Sequence, residues 1–261
     1  MIKKHSIIWF YIFTFIFTII LGGTAQALCI NSVPNQYRTI VSLVLVQMAP
    51  TLGALLICIC IKDWDFWKNM NWNLFKNKKY ILWFLLSLMI SATIVASASA
   101  IMSACGKTYI SNGYFDKLIV ITVLGLLIGC IGEEIGWRGF MLPSFNRKYS
   151  LFSSAVFTGI LWGAWHFGKL TSYGILGYLL FILLITEFSV IMTWIYSKSN
   201  KNMICMILFH FGVNVTSMLL LTGREGIMFY TIACTISTLI CLVLVLADRG
   251  NFCAKLSSCE L

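Results

Sequence analysis

The chain has 261 residues, 59% of them hydrophobic and only 11% charged, with a mean hydropathy of +0.89. A soluble domain carries about 25% charged residues, so this composition excludes a soluble core and reads as a polytopic membrane protein. The formal charge of +10 would suggest nucleic acid in a soluble protein. Here the basic residues fall in short loops between apolar runs, so a lipid bilayer is the expected partner and nucleic acid is not.

The first residues, "MIKKHSIIWFYIFTFIFTIILGGTAQALC", imitate a secretory signal, with a basic front, an apolar middle and an "AQA". The apolar character nevertheless runs from Ile7 past Gly22, near the length of a span, and an uncleaved first helix is expected. Hydropathy then predicts further spans, giving eight in all, at roughly 7–29, 40–61, 80–104, 118–140, 151–168, 172–196, 203–222 and 226–247. The expected fold is thus an all-α transmembrane helical bundle, a single integral membrane domain over 1–261.

The loops support an even count. With the N-terminus inside, 14 of the 19 basic residues lie on the inner side and 5 on the outer, which places both termini in the cytoplasm. The inner loop "KDWDFWKNMNWNLFKNKK" at 62–79 mixes Trp64, Trp67 and Trp72 with lysines and is expected to lie at the headgroup level. Of the 10 cysteines, most sit in apolar runs as small hydrophobes, and no CxxC pair or Cys/His metal spacing occurs. Cys29 and Cys105 flank outer-side segments, and a disulfide between them is the one pairing left open. The tail "SSCEL" is not a prenylation box, because Cys259 is third from the end.

Ionisable residues inside spans are costly and mark function by default. Glu133, Glu134, His166, Glu187 and His210 are such residues, with Asn214 as a buried amide. In "GCIGEEIGWRGFMLP" Glu134 and Arg138 are at i and i+4, neighbours on one helix face. Glu133 is turned from Glu134 by about 100°, so arginine can hold one acid and leave the other facing elsewhere. Gly125, Gly129, Gly132 and Gly136 form one stripe on the same helix, where small residues admit a close neighbour. "WGAWH" pairs Trp162 with His166, and "HFGVN" pairs His210 with Asn214. Each group taken singly has a structural reading: an intrahelical ion pair, or interhelical hydrogen-bond glue. Together they would bury two acids, two histidines and an asparagine to no use. Glu187 has no partner evident in sequence and receives no role.

Three motifs in this order resemble those of the CPBP family, the CAAX protease and bacteriocin-processing group of intramembrane endopeptidases. "EEIGWR" resembles its EExxxR motif, "WGAWH" its FxxxH motif with Trp162 in the aromatic place, and "HFGVN" its HxxxN motif. The resemblance covers residues 118–220 as a catalytic core. It implies peptide-bond hydrolysis near the cytosolic side of the membrane, in the manner of a type II CAAX prenyl protease. By position, Glu133 would activate water, His166 would assist, His210 and Asn214 would stabilise the oxyanion, and Glu134 with Arg138 would shape the site. The implied partner is a membrane-associated protein or peptide substrate. The expected location is the plasma membrane of a bacterium.

No serine or cysteine elbow and no HExxH occurs. Water is therefore the expected nucleophile, and the chain is not a zincin. Zinc held by Glu133, His166 and His210 remains an alternative. The version without a cofactor is favoured, because the activating groups are present and no carboxylate to orient the histidines is evident. Two other functions stay open. One is a non-catalytic immunity or regulatory protein, since the family includes members linked to bacteriocin self-immunity. The other is a proton-coupled transporter, against which stands the lack of any internal repeat.

Overall fold

The computed structural model describes residues 3–74, 78–106, 119–221 and 225–254. The SSCEL tail, and Lys76, Lys107, Lys117, Arg224 and Lys255 of the charge tally, lie outside them. In chain order the helices are α1 (Ser6–Asn31), α2 (Arg38–Gln47), α3 (Ala49–Ile61), α4 (Asp65–Lys68), α5 (Lys79–Ala104) and α6 (Ile119–Glu134). A π-helical segment (Ile135–Met141) follows. Then come α7 (Leu142–Asn146), α8 (Leu151–Trp165), α9 (Gly168–Lys198), α10 (Met203–Leu220), α11 (Ile227–Ala247) and α12 (Arg249–Phe252). Among the described residues there is no strand, only one isolated bridge between Asn71 and Asn202. The all-α polytopic architecture expected from hydropathy is what the chain adopts.

Seven helical stretches among the described residues are long and apolar enough to cross a membrane. The expectation was eight. The stretch expected at 151–168 is α8, only 15 residues long, which reaches about 22 Å of a hydrocarbon core of about 30 Å. It starts where the Ser150 hydroxyl accepts the Ser153 N–H at 3.2 Å, an N-cap. It ends because His166 leaves the helical region (φ −80°, ψ 41°). The next turn is already helical, and the chain corners instead at Gly174 inside α9, with φ 67° and ψ −177°. That conformation is open to glycine and strained for any side chain.

The chain packs as two compact units, one of residues 1–70 with 115–144 and the other of 71–114 with 145–261. In the first, α1 packs on α2 and α3, and α6 on α2. Helix α1 runs unbroken through Ala25-Gln26-Ala27, with Phe10, Thr14 and Ala25 buried and Ile8, Ile19 and Ile20 exposed in the manner of lipid-facing residues. The glycine stripe meets its neighbour as expected. A Cβ on Gly125 would strike Ile40, on Gly129 Gln47, on Gly132 Met48, and on Gly136 Pro50.

In the second unit α9 is central, packed by α8, α10 and α11, while α5 supports α10. The Asn202 side chain caps α10 by accepting the Ile204 N–H at 2.9 Å, and its amide donates to the Asn73 carbonyl at 2.8 Å. Asn71 and Asn73 are therefore pinned to the start of α10. Trp64 and Trp72 are exposed as expected, whereas Trp67 lies tilted against Phe66 with ring centres 5.1 Å apart. Cys29 and Cys105 are both free thiols. Within the first unit Cys29 donates to the Arg38 carbonyl at 3.5 Å.

Candidate active site

In the first unit Glu133, Glu134 and Arg138 are completely buried. Arg138 Nη1 donates to Glu134 Oε1 at 3.2 Å, the pair expected from i,i+4 spacing. Glu133 is held differently: Oε1 accepts from Gln47 Nε2 of α2 at 2.7 Å. The two acids thus accept from different donors, Gln47 and Arg138. Sequence reasoning missed Gln47. The signal was there, an amide in the apolar run "VSLVLVQMAP" just before a proline.

The backbone beneath the acids differs from the regular helix assumed in the sequence. Ile135–Met141 winds as a π-helix, a form that occurs mostly as single turns at functional sites. Pro143 lies just beyond it and has no N–H to give a carbonyl four residues back. Aromatic side chains fix this wide turn from outside. Trp137 meets the Phe10 ring edge-on at 5.5 Å, and Phe140 lies between Phe10 and Phe66 at 5.1 and 5.2 Å. On the opposite side Thr51 Oγ1 donates to the Gly132 carbonyl at 2.5 Å. The acids therefore sit on backbone clamped by α1, α3 and α4.

In the second unit Trp162 links the two histidines. Its ring stands edge-on to His210 at 5.1 Å and to His166 at 6.2 Å. His166 also packs edge-on against Trp165 at 4.8 Å and Phe181 at 5.3 Å. It is not inside a span, as the sequence suggested, but at the C-cap of α8. Its Nδ1 lies 2.9 Å from the Trp162 carbonyl. A carbonyl only accepts, so Nδ1 carries the proton, and in the neutral ring Nε2 is the basic nitrogen. His210 is buried, and Asn214 follows one turn later on the same helix. Gly212 between them admits α5 closely, since a Cβ there would lie 2.2 Å from Ser91 Oγ. Within either unit, among the described residues, no group of three or more His, Cys, Asp or Glu side chains is gathered to hold a metal.

Glu187, which the sequence left without a role, lies buried in α9 and accepts the Thr238 hydroxyl of α11 at 2.5 Å. It tethers two helices rather than joining either histidine motif. Glu187→Gln keeps an acceptor for Thr238 and is expected to preserve folding and any cleavage activity. Glu187→Leu strands a buried hydroxyl and should cost about 1–3 kcal/mol. Thermal unfolding and turnover of both variants check this, and an inactive but folded Glu187→Gln would move Glu187 into the machinery.

Residues 115–216 match the family described as Type II CAAX prenyl endopeptidase Rce1-like. All three motifs lie inside that segment. The fold is that of a polytopic helical membrane protein, and the matched segment is similar to the Rce1-like family, as the motif resemblance implied; together they support an intramembrane endopeptidase. A curated relative, CAAX prenyl protease 2 of Methanococcus maripaludis, is 27% identical across 97% of this chain and 98% of its own.

Proposed function

We propose that this chain hydrolyses a peptide bond in a membrane-associated protein or peptide, using water activated by Glu133. The observation that carries the reading is the separation of the two buried acids. Arg138 hydrogen-bonds Glu134 and acts on Glu133 through its charge, while a Glu133 oxygen accepts from the neutral Gln47 amide. A carboxylate placed as general base contributes about 10²–10⁴ in rate. Glu133 removes the proton of water as its oxygen attacks the scissile carbonyl, and that proton then passes to the leaving amine. His210 and Asn214 supply donors to the developing oxyanion, where fixed donors in a dry site are worth most. His166, with Nδ1 committed to backbone, orients water or shares the proton through Nε2.

Nε2 is equally the nitrogen a zinc ion would take, with Glu133 and His210 as the other donors, and backbone orientation of a histidine suits a ligand as well as a base. Zinc would supply Lewis-acid activation of the water. The proposal favours the reaction without it. The relative's name directs the choice of substrate to a CAAX peptide carrying a prenyl group.

Full-length protein in liposomes, given an internally quenched CAAX peptide with and without the prenyl chain, tests both points. Cleavage of the prenylated peptide that survives exhaustive chelation, in protein with well under one metal per chain, is the expected result. Stoichiometric zinc with activity lost on chelation would replace the mechanism by a zinc-dependent one. Absence of cleavage for every membrane peptide tried, with immunity to a secreted peptide retained in cells, would favour the non-catalytic reading.

A further inference from the structure

Gln47 is the last residue of α2, and the chain breaks there because Pro50 enters at the start of α3. Gln47 lies on the same face of α2 as Ile40 and Val44, the face packed on the α6 glycines. Its Nε2 donates to Glu133 Oε1 at 2.7 Å, the length of a charge-assisted bond. Room for it exists only because residue 129 is glycine: a Cβ there would lie 1.8 Å from Gln47 Oε1 and 2.6 Å from Cδ. The reverse amide orientation would set two acceptors face to face. As oriented, Gln47 Oε1 is buried with no hydrogen-bond donor among the described residues. One turn of backbone away, Thr51 fixes the Gly132 carbonyl, so both the Glu133 backbone and its carboxylate are gripped from the α2–α3 break.

We infer that Gln47 is a positioning residue for Glu133, holding one carboxylate oxygen so that the acid presents a fixed orientation to water, and that Gly129 is the vacancy that admits it. This rests on the reading of Glu133 as the base. A residue that acts through Glu133 should show its loss in turnover rather than in substrate binding.

The test uses the full-length protein in liposomes and the peptide assay above, with Glu133→Gln run alongside. Gln47→Leu is expected to lower kcat about 10–100-fold, the worth of a hydrogen bond to a charged group, with KM changed less than about twofold. Gln47→Glu keeps the length but replaces the donor by a second carboxylate, and should fall at least as far. Gly129→Ala should reproduce the defect from the other helix by displacing the amide. Adding Gly129→Ala to Gln47→Ala should then cost nothing further, the coupling that marks a shared contact. Folded Gln47→Leu or Gln47→Glu protein with wild-type kcat, beside an inactive Glu133→Gln, overturns the inference and leaves the Glu133 reading standing. Should Gln47→Leu fail to fold, Gln47→Glu and the Gly129→Ala pair decide. An active Glu133→Gln overturns both.

Discussion

Glu133→Gln is expected to lower peptide cleavage by about 10³-fold or more while leaving the protein folded. The substitution removes one property, the capacity to accept a proton, and little else. Glutamine matches glutamate in length and shape, and its amide can still pair with Gln47, whose own amide donates to Glu133 at 2.7 Å. General acid–base groups contribute about 10²–10⁴ in rate, and here the same group would also orient the water. The neighbouring acid should behave in the opposite way. Glu134→Leu leaves the fully buried Arg138 without the carboxylate 3.2 Å away. Breaking a buried pair costs about 3–5 kcal/mol, so this variant should lose stability first and activity as a consequence. Initial rates and thermal unfolding on both variants separate the roles. A Glu133→Gln protein that cleaves as fast as the parent sinks the catalytic assignment, and equal melting points for the two variants would sink the division of labour.

Gly136→Ala is expected to be the most damaging single methyl group in the acidic helix. A Cβ at 136 would lie 2.5 Å from Pro50 Cβ, 2.6 Å from its carbonyl carbon and 2.7 Å from its oxygen. Two of those atoms are backbone and the third belongs to a ring, so none can swing aside. Overpacking of this kind costs about 1–3 kcal/mol, and the shift it forces falls between the acids and Arg138. Gly125→Ala is the control. Its obstructing atoms are Cδ1 and Cγ1 of Ile40 at 2.3 and 2.4 Å, the far end of a flexible side chain that can change rotamer. Melting temperature and turnover should drop sharply for position 136 and little for 125. If the two drop alike, the stripe is uniform packing and Pro50 has no special place in it.

The membrane class, most of the spans, the diverging acids and the glycine seam were legible in the residues. Each follows from a short-range rule. Apolar length sets a span, 3.6 residues per turn sets which side chains share a face, and an absent Cβ lets a helix come close. The same rules gave the wrong outcome where local pattern competes with packing. The apolar run at 151–168 looked like a full span, but the helix stops at Trp165 and turns at Gly174 instead. Periodicity does not record where backbone leaves the helix, and the strongest corner residue sat inside the next run. The π-helical turn at Ile135–Met141 was likewise invisible. Rings from α1 and α4 pack against it, and local periodicity does not record such contacts.

By itself, the sequence determined that this is a membrane protein with three polar motifs that resemble those of the CAAX protease family, and which acid pairs with the arginine. Tertiary structure alone decided what holds the other acid. Gln47 is 86 positions from Glu133 in the chain, and no periodicity spans that distance. The packing of α2 along α6, with Gly129 against Gln47, brings the amide to the carboxylate. The same holds for Trp162, whose ring meets His210 from another helix, and for Glu187, whose partner Thr238 lies on α11. Local periodicity fixes which face a side chain takes, and long-range packing fixes what it meets there.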